Sequence, residues 1–139
     1  VEELKNISLI NNYLNEKSVL IDDSNKQLAE KSKDFFSQPV NRRRLTNLGT
    51  FRAYVNFYLI NHKKIHTDMT RLVRMLKPES EGIPLEIYCF TSTTNWMEYE
   101  NIQSDVFEHL LAILPEFGLR TFQKPSGHDF SSNNAHNIK

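Results

Sequence analysis

Between Met69 and Phe117 the hydrophobic period of the chain changes from two to nearly four. Met69–Leu76 alternates, with Met69, Arg71, Val73 and Met75 on one face and Thr70, Leu72, Arg74 and Leu76 on the other. Alternation of this kind predicts a strand. Lys77-Pro78-Glu79-Ser80-Glu81-Gly82 carries good turn chemistry. The return strand, Leu85–Thr91, sets Leu85, Ile87 and Cys89 against Glu86, Tyr88 and Phe90. A long amphipathic helix follows, capped by Asn95, with Glu98 placed to reach back as in a capping box. Its expected core stripe is Trp96, Tyr99, Ile102, Val106, Leu110, Ile113, Leu114 and Phe117, and Pro115 and Gly118 end it. Leu119–Lys124 reads as one more strand, Pro125-Ser126-Gly127 closes regular structure, and the tail at 131–139 is expected to be disordered.

Upstream, Leu4, Ile7, Ile10, Leu14, Leu20, Ile21 and Leu28 recur mostly at helical steps. Asp22-Asp23-Ser24-Asn25 is expected to split this stretch into two helices, with Asp23 or Ser24 capping the second. Gln38-Pro39-Val40-Asn41 is a connector, since Pro39 biases Gln38 away from helix. From Thr46 or Asn47 a further helix begins, with Phe51, Tyr54, Val55, Tyr58 and Leu59 as its apolar stripe. Arg52, Asn56 and Asn61 lie off the stripe, and Asn61-His62-Lys63-Lys64 ends the helix. The fold class is therefore α+β: three or four helices on a small antiparallel sheet of 69–76, 84–91 and 119–124.

A chain of 139 residues with 39% hydrophobic and 24% charged content is one domain, or one domain with a helical extension. Cys89 is the only cysteine, which excludes a disulfide framework or a cysteine zinc site within one chain. No run approaches the ~18 apolar residues of a membrane span; the best, Tyr54–Ile60, is interrupted by Asn56. The start at Val1, without a signal pattern, is that expected of a piece of a longer protein. The zero net charge hides an asymmetry. Residues 41–77 carry 9 basic groups and 1 acidic, whereas residues 78–117 carry 8 acidic groups and no basic one. Such neighbours either neutralise each other within the fold or meet across a subunit boundary, and adjacency in sequence favours the first.

Candidate chemistry is thin. His62 and His66 stand four apart, but no third metal ligand is evident, so surface histidines are expected. Asp105 and His109 share a helix face without a nucleophile, which suggests a surface contact. Gly49, Gly82, Gly118 and Gly127 form no phosphate-cradling loop. Tyr88 and Phe90 on one strand face resemble the aromatic platforms of RNA-binding sheets, and a free-standing α+β RNA-binding module is the alternative reading. Glu86 shares that face, and the basic-glycine-aromatic signature is missing. Arg42-Arg43-Arg44 offers charge for an anion or a phosphate, but a solvated run or salt bridges to the acidic 78–117 segment is the expected reading. No catalytic residue, metal or cofactor is expected, and no nucleic acid partner.

One series of short blocks runs through Val40-Asn41, Arg43-Arg44-Leu45-Thr46-Asn47, Gly49-Thr50-Phe51-Arg52-Ala53-Tyr54, Ile65-His66 and Asp68-Met69-Thr70. It continues through Pro84-Leu85-Glu86-Ile87-Tyr88, Ile102-Gln103, Asp105, Phe107, Leu114-Pro115-Glu116-Phe117-Gly118-Leu119-Arg120 and Pro125-Ser126-Gly127. By the order and spacing of these blocks, residues 40–130 resemble the cytoplasmic C-terminal part of bacterial mechanosensitive channels of the MscS family, in the miniconductance or YbdG-like branch. The resemblance implies a helical segment and connector at 1–39, an MscS-type α+β domain at 40–130 and a tail at 131–139. It implies a non-enzymatic vestibule and assembly domain on the cytoplasmic face of the bacterial inner membrane. That domain would belong to a homo-oligomer, a heptamer in the intact channel, that opens under membrane tension in hypoosmotic stress. Candidate subunit contacts are Arg43, Arg44, Arg52, Tyr88, Phe90, Leu119 and Phe122. The family domain resembles a split β-α-β, ferredoxin-like unit whose first strand would lie upstream of Val1. Without it the sheet is expected to show an unpaired edge, with self-association or rearranged pairing of Leu119–Lys124.

Overall fold

The computed structural model of the protein describes residues 8–31 and 44–129. The connector, Arg42, Arg43 and the tail at 131–139 lie outside them. Helix α1, Ser8–Lys31, docks through Ile10 and Leu14, which are buried, whereas Val19 and Leu20 are exposed. The expected break at Asp22–Asn25 does not occur. None of those residues is glycine or proline, and their individual helix penalties of roughly 0.7 kcal/mol or less do not stop a helix.

Helix α2, Asn47–Ile60, starts where its cap chemistry places it. Thr46 is extended, and its Oγ1 accepts the Gly49 N–H at 3.0 Å. Gly49 suits this approach, since a Cβ there would lie 2.9 Å from that oxygen. The Thr50 hydroxyl, itself buried, donates to the Thr46 carbonyl at 2.8 Å. Phe51, Val55 and Leu59 then bury one face, with Tyr54 and Tyr58 half-buried beside them.

Strands β1, Leu72–Met75, and β2, Leu85–Tyr88, pair antiparallel with Val73 opposite Ile87 and Arg74 opposite Glu86. The turn closes through reciprocal Glu79 and Gly82 backbone bonds, and Gly82 has φ +108, which only glycine adopts freely. Both strands are shorter than the alternation predicts. Beyond Tyr88 the pairing passes to residues 64–66. Ile65 bridges Thr91, and the His66 N–H donates to the Phe90 carbonyl at 2.7 Å. Residues 69–71 are thereby left out of the ladder.

Helix α3, Trp96–Ile113, begins at Asn95, whose Oδ1 accepts the Glu98 N–H at 3.1 Å. The reciprocal half of the capping box is modified. Glu98 accepts from the Thr93 hydroxyl at 2.6 Å, and that hydroxyl accepts the Asn95 N–H at 3.1 Å. Ile102, Val106 and Leu110 are buried as expected. Trp96 is not a core residue: it is 72% exposed, and Tyr99 is 40% exposed, because the first turn of α3 overhangs the core. A 3-10 turn, Leu114–Phe117, follows and buries Phe117 edge-on against Phe51 at 5.2 Å. Gly118, at φ +66, ends it and sends the Leu119 N–H back to the Leu114 carbonyl.

Leu119–Lys124 is not a strand, so the sheet among the described residues has two strands rather than three. The segment runs past the hairpin turn instead. Lys124 reaches Glu81 at 3.5 Å, and Phe122 lies beside Gly82. A groove separates it from β2, so no ladder forms. The α+β class stands, with one core shared by α1, α2, α3 and the hairpin.

Candidate functional site

The two edges of the hairpin differ in chemistry. The register bonds Leu72 to Tyr88 and Arg74 to Glu86, and the Leu76 N–H to the Pro84 carbonyl, as ladder pairs. The backbone groups of Val73 therefore face outward from β1, and those of Leu85 and Ile87 face outward from β2. The Val73 carbonyl is met by Arg52 Nη1 at 3.5 Å. Among the described residues no backbone bond reaches Leu85 or Ile87 from the other side. Their edge opens on a groove of about 610 Å³ floored by Phe107, Leu110, Leu111 and Leu114, with Leu119 and Phe122 on its far wall. Phe107 and Leu111 are each more than half exposed.

The candidate contact residues fall in separate places. Arg43 lies outside the described residues. Arg44 is exposed just before α2, and Arg52 is exposed on α2. Tyr88, about half exposed, and Phe90 meet edge-to-face at 5.4 Å. With Leu72, Arg74 and Glu86, Tyr88 belongs to the sheet face turned from the helices. Leu119 and Phe122 come together in the β2 groove. Arg74 and Glu86 join the basic and acidic segments at 2.8 Å. Lys63, Lys64 and Lys77, like Asp105, Glu108 and Glu116, are exposed at the surface.

The histidines build structure. His62 Nδ1 accepts the Lys64 N–H at 3.2 Å, and His66 Nδ1 accepts the Asp68 N–H at 3.3 Å. His109 is held by Tyr54, with Nε2 and the hydroxyl 2.9 Å apart, and stacks on Tyr58 at 4.4 Å. Its partners are thus these tyrosines and not Asp105. Burial, then the neighbouring Tyr58, pushes the Tyr54 hydroxyl above its ordinary pKa; burial, then Asp105, does the same to Tyr58. Burial raises the Cys89 thiol, against a smaller opposing pull from Arg71. Phenols and a thiol held protonated are poor bases and nucleophiles, which makes this layer a packing element.

Two sets of residues escaped the sequence reading. Phe107 and Leu111 form, with Leu110 and Leu114, a second apolar row on α3 whose spacing was visible beside the core stripe. Lys17, Arg52 and Arg71 line one cavity from separate elements, and no local pattern announces that.

Among the described residues no helix is long and apolar enough to cross a membrane. A family model described as mechanosensitive ion channel MscS, C-terminal, matches residues 50–121, from the first turn of α2 to the far wall of the β2 groove. That span is just over half of the 139 residues, and the chain accordingly belongs to the MscS mechanosensitive channels, a family of ion channels and not of enzymes.

Proposed function

We propose that the chain is the cytoplasmic assembly and vestibule domain of a bacterial inner-membrane channel of the miniconductance, YbdG-like branch, which opens under tension in hypoosmotic stress. Its work is done by surfaces. The observation that supports this reading is the unpaired β2 edge over an apolar groove, which is a template for an added strand. A strand from a second copy of the chain fills that edge. In the channel, a homo-heptamer, the basic and acidic segments meet across a head-to-tail contact, with Arg43, Arg44, Tyr88, Phe90, Leu119 and Phe122 as contact residues. Arg52 stands apart, because it lines a cavity on the β1 side.

Sedimentation velocity over a concentration series tests this. The chain is expected to sediment as a concentration-dependent oligomer. The doubly substituted Phe107→Glu, Leu111→Glu chain is expected to stay monomeric, with its fold kept, because both side chains are more than half exposed. A chain that stays monomeric at every concentration contradicts the proposal.

A further inference from the structure

On the β1 side of the hairpin, α1, α2 and the start of β1 line a half-open cavity of about 490 Å³. That volume suits one small ligand. Lys17 of α1, Arg52 of α2 and Arg71 beside β1 line it, and no carboxylate of the described residues does. Asn56 and the Val73 carbonyl tether the guanidiniums, to Arg71 Nε at 3.3 Å and to Arg52 Nη1 at 3.5 Å. These partners are neutral. They orient each guanidinium and leave its charge uncancelled, with further N–H groups to donate. Gathering like charges is unfavourable unless an anion joins them. The rest of the lining is apolar or aromatic, chiefly Tyr13, Phe57 and Ile60.

We propose that this cavity binds a small organic phosphate. Arg52 and Arg71 hold the phosphate oxygens, Lys17 adds the third positive charge, and the apolar body of the ligand rests on Tyr13 and Phe57. Planar guanidinium forks match phosphate geometry, and a dianion answers the summed charge better than a carboxylate does. The three cations line one half-open cleft of single-ligand size, where a polyanion such as RNA needs an extended basic stripe.

The test is a calorimetric and NMR titration of the 139-residue chain with phenyl phosphate, inorganic phosphate and benzoate, beside sedimentation with phosphatidylglycerol vesicles. Phenyl phosphate is expected to bind saturably and more tightly than the other two. It should shift the Arg52 and Arg71 Nε–H and Tyr13 ring resonances. Arg52→Gln and Arg71→Gln should each weaken it by at least about tenfold, and Arg120→Gln should not. Arg52→Lys keeps the charge and is expected to fall between. Each backbone spectrum reports whether the fold is kept. Vesicle binding lost in the same variants assigns the phosphate to a lipid headgroup; saturable phenyl phosphate binding without vesicle binding assigns it to a soluble metabolite. Three results overturn the proposal: no saturable binding, equal shifts at Arg120, or affinity that falls as protein concentration rises. The last would mean that a neighbouring copy's carboxylates occupy the cavity.

Discussion

The hairpin has two edges, and they are finished in opposite ways. Beside β1 the outward Val73 carbonyl is met by Arg52, and the neighbouring space is a cationic cavity between helices. Beside β2 the outward groups of Leu85 and Ile87 face an apolar groove floored by α3. A charged side chain on an edge discourages a further strand, while an apolar edge with open backbone groups accepts one. The same short ribbon thus has one edge fitted to a small anion and one fitted to another chain. Most of the β2 groove lies within the span that defines the family, with Leu48 and Phe122 just outside it, whereas Lys17 and Tyr13 of the cavity lie well upstream.

The difference can be broken or sharpened by substitution. The largest effect is expected from Leu59→Ala, because Leu59 is fully buried in the layer behind both edges. A loss of about 2–5 kcal/mol in denaturant unfolding should abolish both properties together. Gly118→Ala acts on the β2 side. Its φ of +66 penalises a side chain, and the new Cβ would sit 3.1 Å from Asn47 Nδ2. Unfolding should show a loss of about 1–2 kcal/mol, and association should weaken while phenyl phosphate binding holds. The smallest effect is alkaline. Tyr54 and Tyr58 have pKa values raised above 10.0, so the fold favours their neutral forms. Their contribution is complete below about pH 10 and is lost as pH rises through the raised values. Tyr58→Phe should flatten the alkaline fall in melting temperature without altering either edge.

Local features were legible where pattern and burial agree. The stripe Phe51, Val55, Leu59, the Thr46 and Asn95 caps and the Gly118 stop were readable because each rests on neighbours within about one helical turn. Trp96 failed because periodicity assigns a face without saying which turn overhangs the core. Leu119–Lys124 failed because a strand exists only through a partner, and here the β2 groove stands between the two. The shortening of β1 has a similar cause: residues 64–66 take the pairing that alternation assigns to 69–71. The cationic cavity was out of reach altogether, since Lys17, Arg52 and Arg71 come from three elements and meet only after folding.

The most direct measurement is amide hydrogen exchange at single residues across a range of protein concentration. Glu86 and Tyr88 donate to β1 in every copy, so their protection should not change with concentration. Protection at Leu85 and Ile87 is predicted to rise as copies associate, and to stay low in the Phe107→Glu, Leu111→Glu chain. Exchange at Leu85 and Ile87 that is independent of concentration, or new protection at Val73 instead, would contradict the account of the β2 edge as the surface on which this domain assembles.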